Sequence, residues 1–184
     1  MHTVSGTGHR PATSRDPDGL TPAQLPWVQA KARAGLEWLA AEHGTEEVWS
    51  GMALGWDLIL AAAAVDLGLT LRAHVPYQSQ PDRWEAEDQA EWSRLVTLAA
   101  SVHLYGRNPA FKREAVALLR ARNDGLLKAD GLLACWNAAK RSGGTFSAVK
   151  KAARRGLPVV HLDPARQVVH GPGCSCIEGL RSTA

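Results

Sequence analysis

The chain has none of the segments that would put it in a membrane. No apolar run approaches the roughly 20 residues needed to cross a bilayer. Met1-His2-Thr3-Val4-Ser5-Gly6 runs straight into a strand, without the charged and apolar regions of a signal peptide. Cysteine is scarce: Cys135 lies inside an apolar run, and Cys174 and Cys176 stand near the C-terminus. An odd number with one buried-looking member does not describe a disulfide framework, so we expect a cytoplasmic protein. An excess of one charge is missing too. The 21 basic and 18 acidic residues leave a net +3, too mild to argue for a nucleic-acid partner. The densest basic group, Lys150, Lys151, Arg154 and Arg155, falls late on an expected helix, where it complements the helix dipole.

Signatures of familiar chemistry are also absent. There is no Gly-x-Ser-x-Gly elbow, zinc-protease helix or Gly-x4-Gly-Lys-Ser/Thr loop. Cys174-x-Cys176 with His170 supplies three soft donors, but no fourth and no second pair at finger spacing. We therefore expect no metal site and no cofactor.

What the sequence does contain is a regular alternation of strand and helix patterns. Its 184 residues suit one domain with a real core. Strands are expected around residues 3–5, 47–50, 70–75, 101–105, 131–136 and 158–162, the fifth a continuous apolar run typical of a central strand. Helices are expected from Thr21-Pro22 to Gly44 and over 57–67, 81–100, 110–128 and 145–155. In the first, Leu25, Val28, Ala32, Leu36 and Leu39 recur at helical spacing. The order predicts an α/β, Rossmann-like three-layer sandwich with a mostly parallel sheet of about six strands. Residues 1–164 form that domain, and 165–184 a loosely ordered tail.

Three glycine-rich segments fall where strands hand over to helices: Gly6-Thr7-Gly8-His9-Arg10, Ser50-Gly51-Met52-Ala53-Leu54-Gly55-Trp56-Asp57 and Ser142-Gly143-Gly144-Thr145. Turns of this kind leave backbone N–H groups free and aim a helix N-terminus into the same space, which suits phosphate. In a parallel sheet all three reach the C-terminal edge, and together they predict one pocket for a nucleotide-like ligand. Arg10 offers bidentate phosphate contact, or caps the sheet edge. His9 donates to a ligand, or packs. Asp57 either complements its helix dipole or accepts from ribose hydroxyls, and it is the candidate general acid–base. Thr145 caps its helix or bonds a phosphate oxygen. Arg122 and Asn123 reach across the pocket, or lie on a solvated face. Trp56 and Trp84 pack, or stack on a base.

These residues, in this order, resemble the SLOG superfamily, which joins the DNA-processing protein A group with the LOG-type phosphoribohydrolases that activate cytokinins. The chain most resembles its YpsA-like branch of mostly uncharacterised bacterial and phage proteins; Val75-Pro76-Tyr77, Gln80, Trp84 and Gln89 fit that branch as well. The resemblance covers about residues 3–163. It implies a Rossmann-like domain that binds a nucleotide or nucleotide derivative through Gly6, Gly8, Arg10, Gly51, Gly55, Asp57, Arg122, Asn123, Gly143, Gly144 and Thr145. It also implies a homodimer, with faces near Trp84 and Trp92 free to pair. The phosphoribohydrolases carry Pro-Gly-Gly-x-Gly-Thr-x-x-Glu, whose glutamate works at the glycosidic bond. Here Ala148 stands three beyond Thr145, and the Pro-Gly-Gly-x part is not reproduced. The expectation is therefore a binder or sensor of a nucleotide, ADP-ribose or NAD derivative. The alternatives are a nucleotide N-glycosidase using Asp57 and, behind it, a single-stranded DNA binder.

Overall fold

Six parallel strands and one antiparallel edge strand form a single sheet, in the order β4-β3-β2-β1-β5-β6-β7. The computed structural model describes residues 1–14 and 16–181. In chain order the elements are β1 (Thr3–Gly8), α1 (Leu25–His43), β2 (Glu47–Ser50), α2 (Trp56–Asp66), β3 (Thr70–Val75), α3 (Ala86–Leu98), β4 (Ser101–Leu104), α4 (Lys112–Leu126), β5 (Gly131–Cys135), α5 (Gly143–Arg154), β6 (Val159–Asp163), β7 (Val168–His170) and α6 (Ser175–Glu178). From β1 to β4 the strands step one way across the sheet. The chain then crosses back and builds β5, β6 and β7 on the other side of β1. Right-handed crossovers put α1, α2 and α3 on one face and α4 and α5 on the other, giving the Rossmann-like three layers. The order reverses between β1 and β5, where folds of this class leave a crevice beyond the strand ends.

Local sequence explains most of this. Helix α1 buries Val28, Ala32, Leu36 and Leu39, the stripe read from the spacing, and stops at a left-handed Gly44. All five residues of β5 and of β6 are buried, because helices cover both faces of these strands. One core lies under α1 and α2, a second joins α5 to β5 and β6, and a third sits between α2, α3 and β3.

Three expectations need correction. Strand β1 does not end at residue 5; it continues through Gly6, Thr7 and Gly8, which pair in register with Leu133, Ala134 and Cys135. The third helix starts only at Ala86, because residues 81–84 form a turn closed by Trp84 N–H donating to the Pro81 carbonyl. The tail is not loosely held over its described part. Val168, Val169 and His170 pair with β6, and Ile177 and Leu180 are buried against the α5 core. Short apolar stretches such as Val168-Val169 gain a place only when a neighbouring strand edge is open, and periodicity does not report that. Residues 182–184 of that expected tail lie outside the described residues.

Candidate functional site

A polar cleft of about 310 Å³ opens at the β1/β5 reversal, at the small end of the roughly 300–1,000 Å³ usual for ligand pockets. Thr7, Gly8, His9 and Arg10 line it from the end of β1, and Ala53 and Asp57 from the segment after β2. Helix α4 adds Leu119, Arg122 and Asn123. Lys140, Ser142, Gly143, Gly144 and Thr145 come from the loop after β5 and the start of α5, and Asp16 closes one side.

The third glycine segment has the free amides expected of it. The N-cap residue of α5, Ser142, makes no side-chain cap, so the N–H groups of Gly143, Gly144 and Thr145 have no intrahelical acceptor. Gly143 adopts φ +88°, and nothing stands within 4 Å of where a side chain would begin. The Asn123 amide lies next to Gly144. The Thr145 hydroxyl donates to the Gly8 carbonyl at 2.9 Å, tying α5 to the end of β1. The loop before α5 is held from beneath: Trp136 Nε1 donates to the Lys140 carbonyl at 2.9 Å, and the Asn137 N–H donates to His9 Nε2, also at 2.9 Å.

His9 Nε2 is therefore a structural acceptor, which leaves the ring proton on Nδ1. His9 is 4% exposed; burial, and then the Lys140 cation, hold it below the ordinary imidazole value of 6.5. The neutral ring that results is the form able to accept from Asn137. Lys140 pairs with Asp16 and lies 4.0 Å from Asp18, so loop carboxylates offset part of its charge. Arg10 is exposed at the mouth and has no ion-pair partner among the described residues.

Opposite α5, Asp57 and Arg122 form a buried pair. Arg122 Nη1 donates to Asp57 Oδ2 at 2.7 Å, with the side chains 7% and 5% exposed. The Ala53 N–H donates to the same oxygen at 3.3 Å. This pair is a latch between α4 and the first turn of α2, and it already engages the carboxylate proposed for acid–base work. Gly51 is what makes room for it. A Cβ there would fall 1.5 Å from Arg122 Nη1. Arg122 Nε is buried and has no acceptor among the described residues.

In the other two glycine segments several groups are already engaged within the fold. Around the second, the Ser50 hydroxyl takes the Met52 N–H at 3.1 Å, Asp57 takes that of Ala53, and the His9 carbonyl takes that of Trp56 at 3.1 Å. Met52 does not face the cleft: it is fully buried in the α2/α3 core and held at φ +54°, a conformation unusual for a residue with a side chain. Gly55 lies outside the cleft; its φ of +91° lets the backbone pass under the His9 carbonyl. In the first segment, Gly6 and Gly8 serve helix packing. A Cβ on Gly8 would sit 2.4 Å from Trp56 Cγ, and one on Gly6 2.4 Å from Leu60 Cδ2. Trp56 is fully buried, so it cannot stack on a ligand base. Trp84 and Trp92 are partly buried and pack on the α2/α3 core.

Sequence reasoning passed over Lys140, Asp16 and Asn137. Lys140, two residues before Ser142, carried a usable signal as a cation ahead of a helix N-terminus. Asp16 and Asn137 carried none. A larger hollow of about 580 Å³ lies along α1, α2 and α3. Its wall is mostly aliphatic, with Leu25, Leu58, Ile59 and Ala62, and it lacks the converging backbone donors of the smaller cleft.

The fold and the cleft together define a Rossmann-like α/β protein with a polar crevice at its topological reversal. No protein-family model matches the chain, and no curated protein is significantly similar to it. Among the described residues, no helix is long and apolar enough to cross a membrane.

Proposed function

We propose that this protein binds a nucleotide-like small molecule, with a phosphate on the N-terminus of α5 and the remainder in the cleft toward Arg10 and Asn123. The observation that carries the reading is the uncapped first turn of α5 opening into a polar cleft at the strand-order reversal. The buried Arg122 N–H without an acceptor supports it, and so does the resemblance to SLOG proteins. Calorimetry against AMP, ADP-ribose and NAD tests it. At least one should bind, and Arg10→Ala should weaken that binding about tenfold, the loss of one charge-assisted contact. Failure of the whole panel to bind sinks the reading.

Hydrolysis of an N-glycosidic bond is the second reading, favoured by Asp57 lining the same cleft. Against it stand the engagement of Asp57 by Arg122 and the burial of Ala148 in the glutamate position. Release of free base from a nucleoside monophosphate, abolished by Asp57→Asn, would establish it.

A further inference from the structure

The C-terminal segment gathers four metal-binding side chains that are scattered in the sequence. Antiparallel pairing sets His161 of β6 directly opposite His170 of β7, and their rings stack 5.2 Å apart with planes 17° from parallel. The chain then turns through Gly171-Pro172-Gly173 and brings Cys176 back to His161. His161 Nδ1 lies 3.3 Å from Cys176 Sγ. The ligand atoms of His161, His170 and Cys176 all fall within 4.8 Å of one another. Cys174 is joined to Cys176 in a disulfide, so its sulfur lies beside that cluster. The sequence offered three donors and no fourth; the fold supplies the fourth as His161.

The proton on His161 is placed by its surroundings. The residue is fully buried, and its Nε2 sits 2.6 Å from the Trp136 carbonyl, which can only accept. The ring N–H is therefore on Nε2, and Nδ1 turns a lone pair toward the sulfurs. A disulfide has no proton to give that lone pair, whereas a metal ion fills it. A backbone carbonyl fixing the far nitrogen of a ligating histidine is the usual second layer of a zinc site.

We propose that, when Cys174 and Cys176 are reduced, they join His161 and His170 in a tetrahedral site for a divalent cation of zinc's class. Two thiolates and two imidazoles select such a soft-to-borderline ion over magnesium or calcium. Ligand bonds of about 2.0–2.3 Å put tetrahedral donors roughly 3.3–3.8 Å apart, so the donors of His161, His170 and Cys176 close by about 1.5 Å at most, while the two sulfurs move apart on reduction. The chemistry balances. A dithiol reductant gives two electrons and two protons to the disulfide and becomes a disulfide itself, and the metal then displaces both thiol protons to water. In one redox state the disulfide closes a local loop within the segment that bears Ile177 and Leu180; in the other the metal ties that segment to β6 and β7.

The test uses the full chain, reduced and kept anaerobic, and titrated with cobalt(II) followed by zinc(II). The expected result is the absorption of tetrahedral cobalt with thiolate charge transfer, bleached by one equivalent of zinc that stays bound through gel filtration. Cys174→Ser and His170→Ala alter partly exposed positions and should leave the fold intact by circular dichroism. Each should weaken zinc binding at least tenfold, and the oxidised protein should take up none. The proposal is overturned if the reduced protein gives no cobalt spectrum, if either variant binds zinc like the parent, or if the oxidised protein binds equally well.

Discussion

Replacing Gly144 with aspartate should separate ligand binding from stability in opposite directions. Gly144 is the second residue of α5, and a Cβ there meets only the Asn123 amide, at an ordinary 3.8 Å. The side chain fits without strain. A carboxylate in the first turn of a helix stabilises it by about 0.3–1 kcal/mol, and removing a glycine from a helix adds roughly 0.5–1 kcal/mol. The variant should therefore be about 1 kcal/mol more stable, raising Tm by roughly 2–4 °C in a domain of this size. Binding should respond the other way. A charge about 5 Å from a bound phosphate, at an effective dielectric near 20, repels it by about 3 kcal/mol, or roughly a hundredfold in Kd. Calorimetry with whichever of AMP, ADP-ribose or NAD the parent binds, run beside urea denaturation, reads both quantities. A variant at least as stable as the parent with an unchanged Kd refutes the placement of phosphate at α5.

Three further outcomes follow from the packing. Asp57→Ala leaves Arg122 buried without its partner and should cost about 3–5 kcal/mol in urea denaturation, while Asp57→Leu combined with Arg122→Met should cost much less; equal losses would contradict the latch. Gly8→Ala drives a methyl into the fully buried Trp56 and should destabilise by about 1–3 kcal/mol, whereas parent-like stability would return Gly8 to the ligand site. Stability should also fall as pH drops from about 6.5 toward 4. Burial, and then the neighbouring His103 and the Arg122 and Arg72 cations, push His74 down to about 4. The folded state therefore favours the neutral ring, and its contribution is complete above the unfolded value and lost on acidification. The span amounts to roughly 3 kcal/mol, and His9 adds a change of the same sign. Urea midpoints at pH 7.5 and 4.5 should differ less in His74→Asn than in the parent; equal pH slopes would rule His74 out.

Glycine was the least readable residue in this sequence. Gly8 and Gly143 look alike in a string of letters, each between a strand and a helix. Gly8 is small because Trp56 presses against it, and Gly143 because the backbone turns through a positive φ into open space. Gly51 has a third reason, the guanidinium of Arg122. Arg122 was legible as a residue that reaches across the pocket or lies on a solvated face, but its burial depends on Asp57, 65 positions away. The stripe along α1 and the apolar run of β5 were read correctly, because helical spacing and strand burial are properties of neighbouring residues.

By itself the sequence determined the alternation of strands and helices, and hence a largely parallel sheet with loops gathered at one edge, since hydrophobic periodicity is local and crossovers take one hand. It also named the segment that starts α5. Only the tertiary structure decided that the third glycine segment keeps its amides free, that Asp57 is latched to Arg122, and that His161 meets His170 and Cys176. Those outcomes depend on strand order and on distances between residues far apart in the chain, and a linear pattern does not encode which donor reaches which acceptor first.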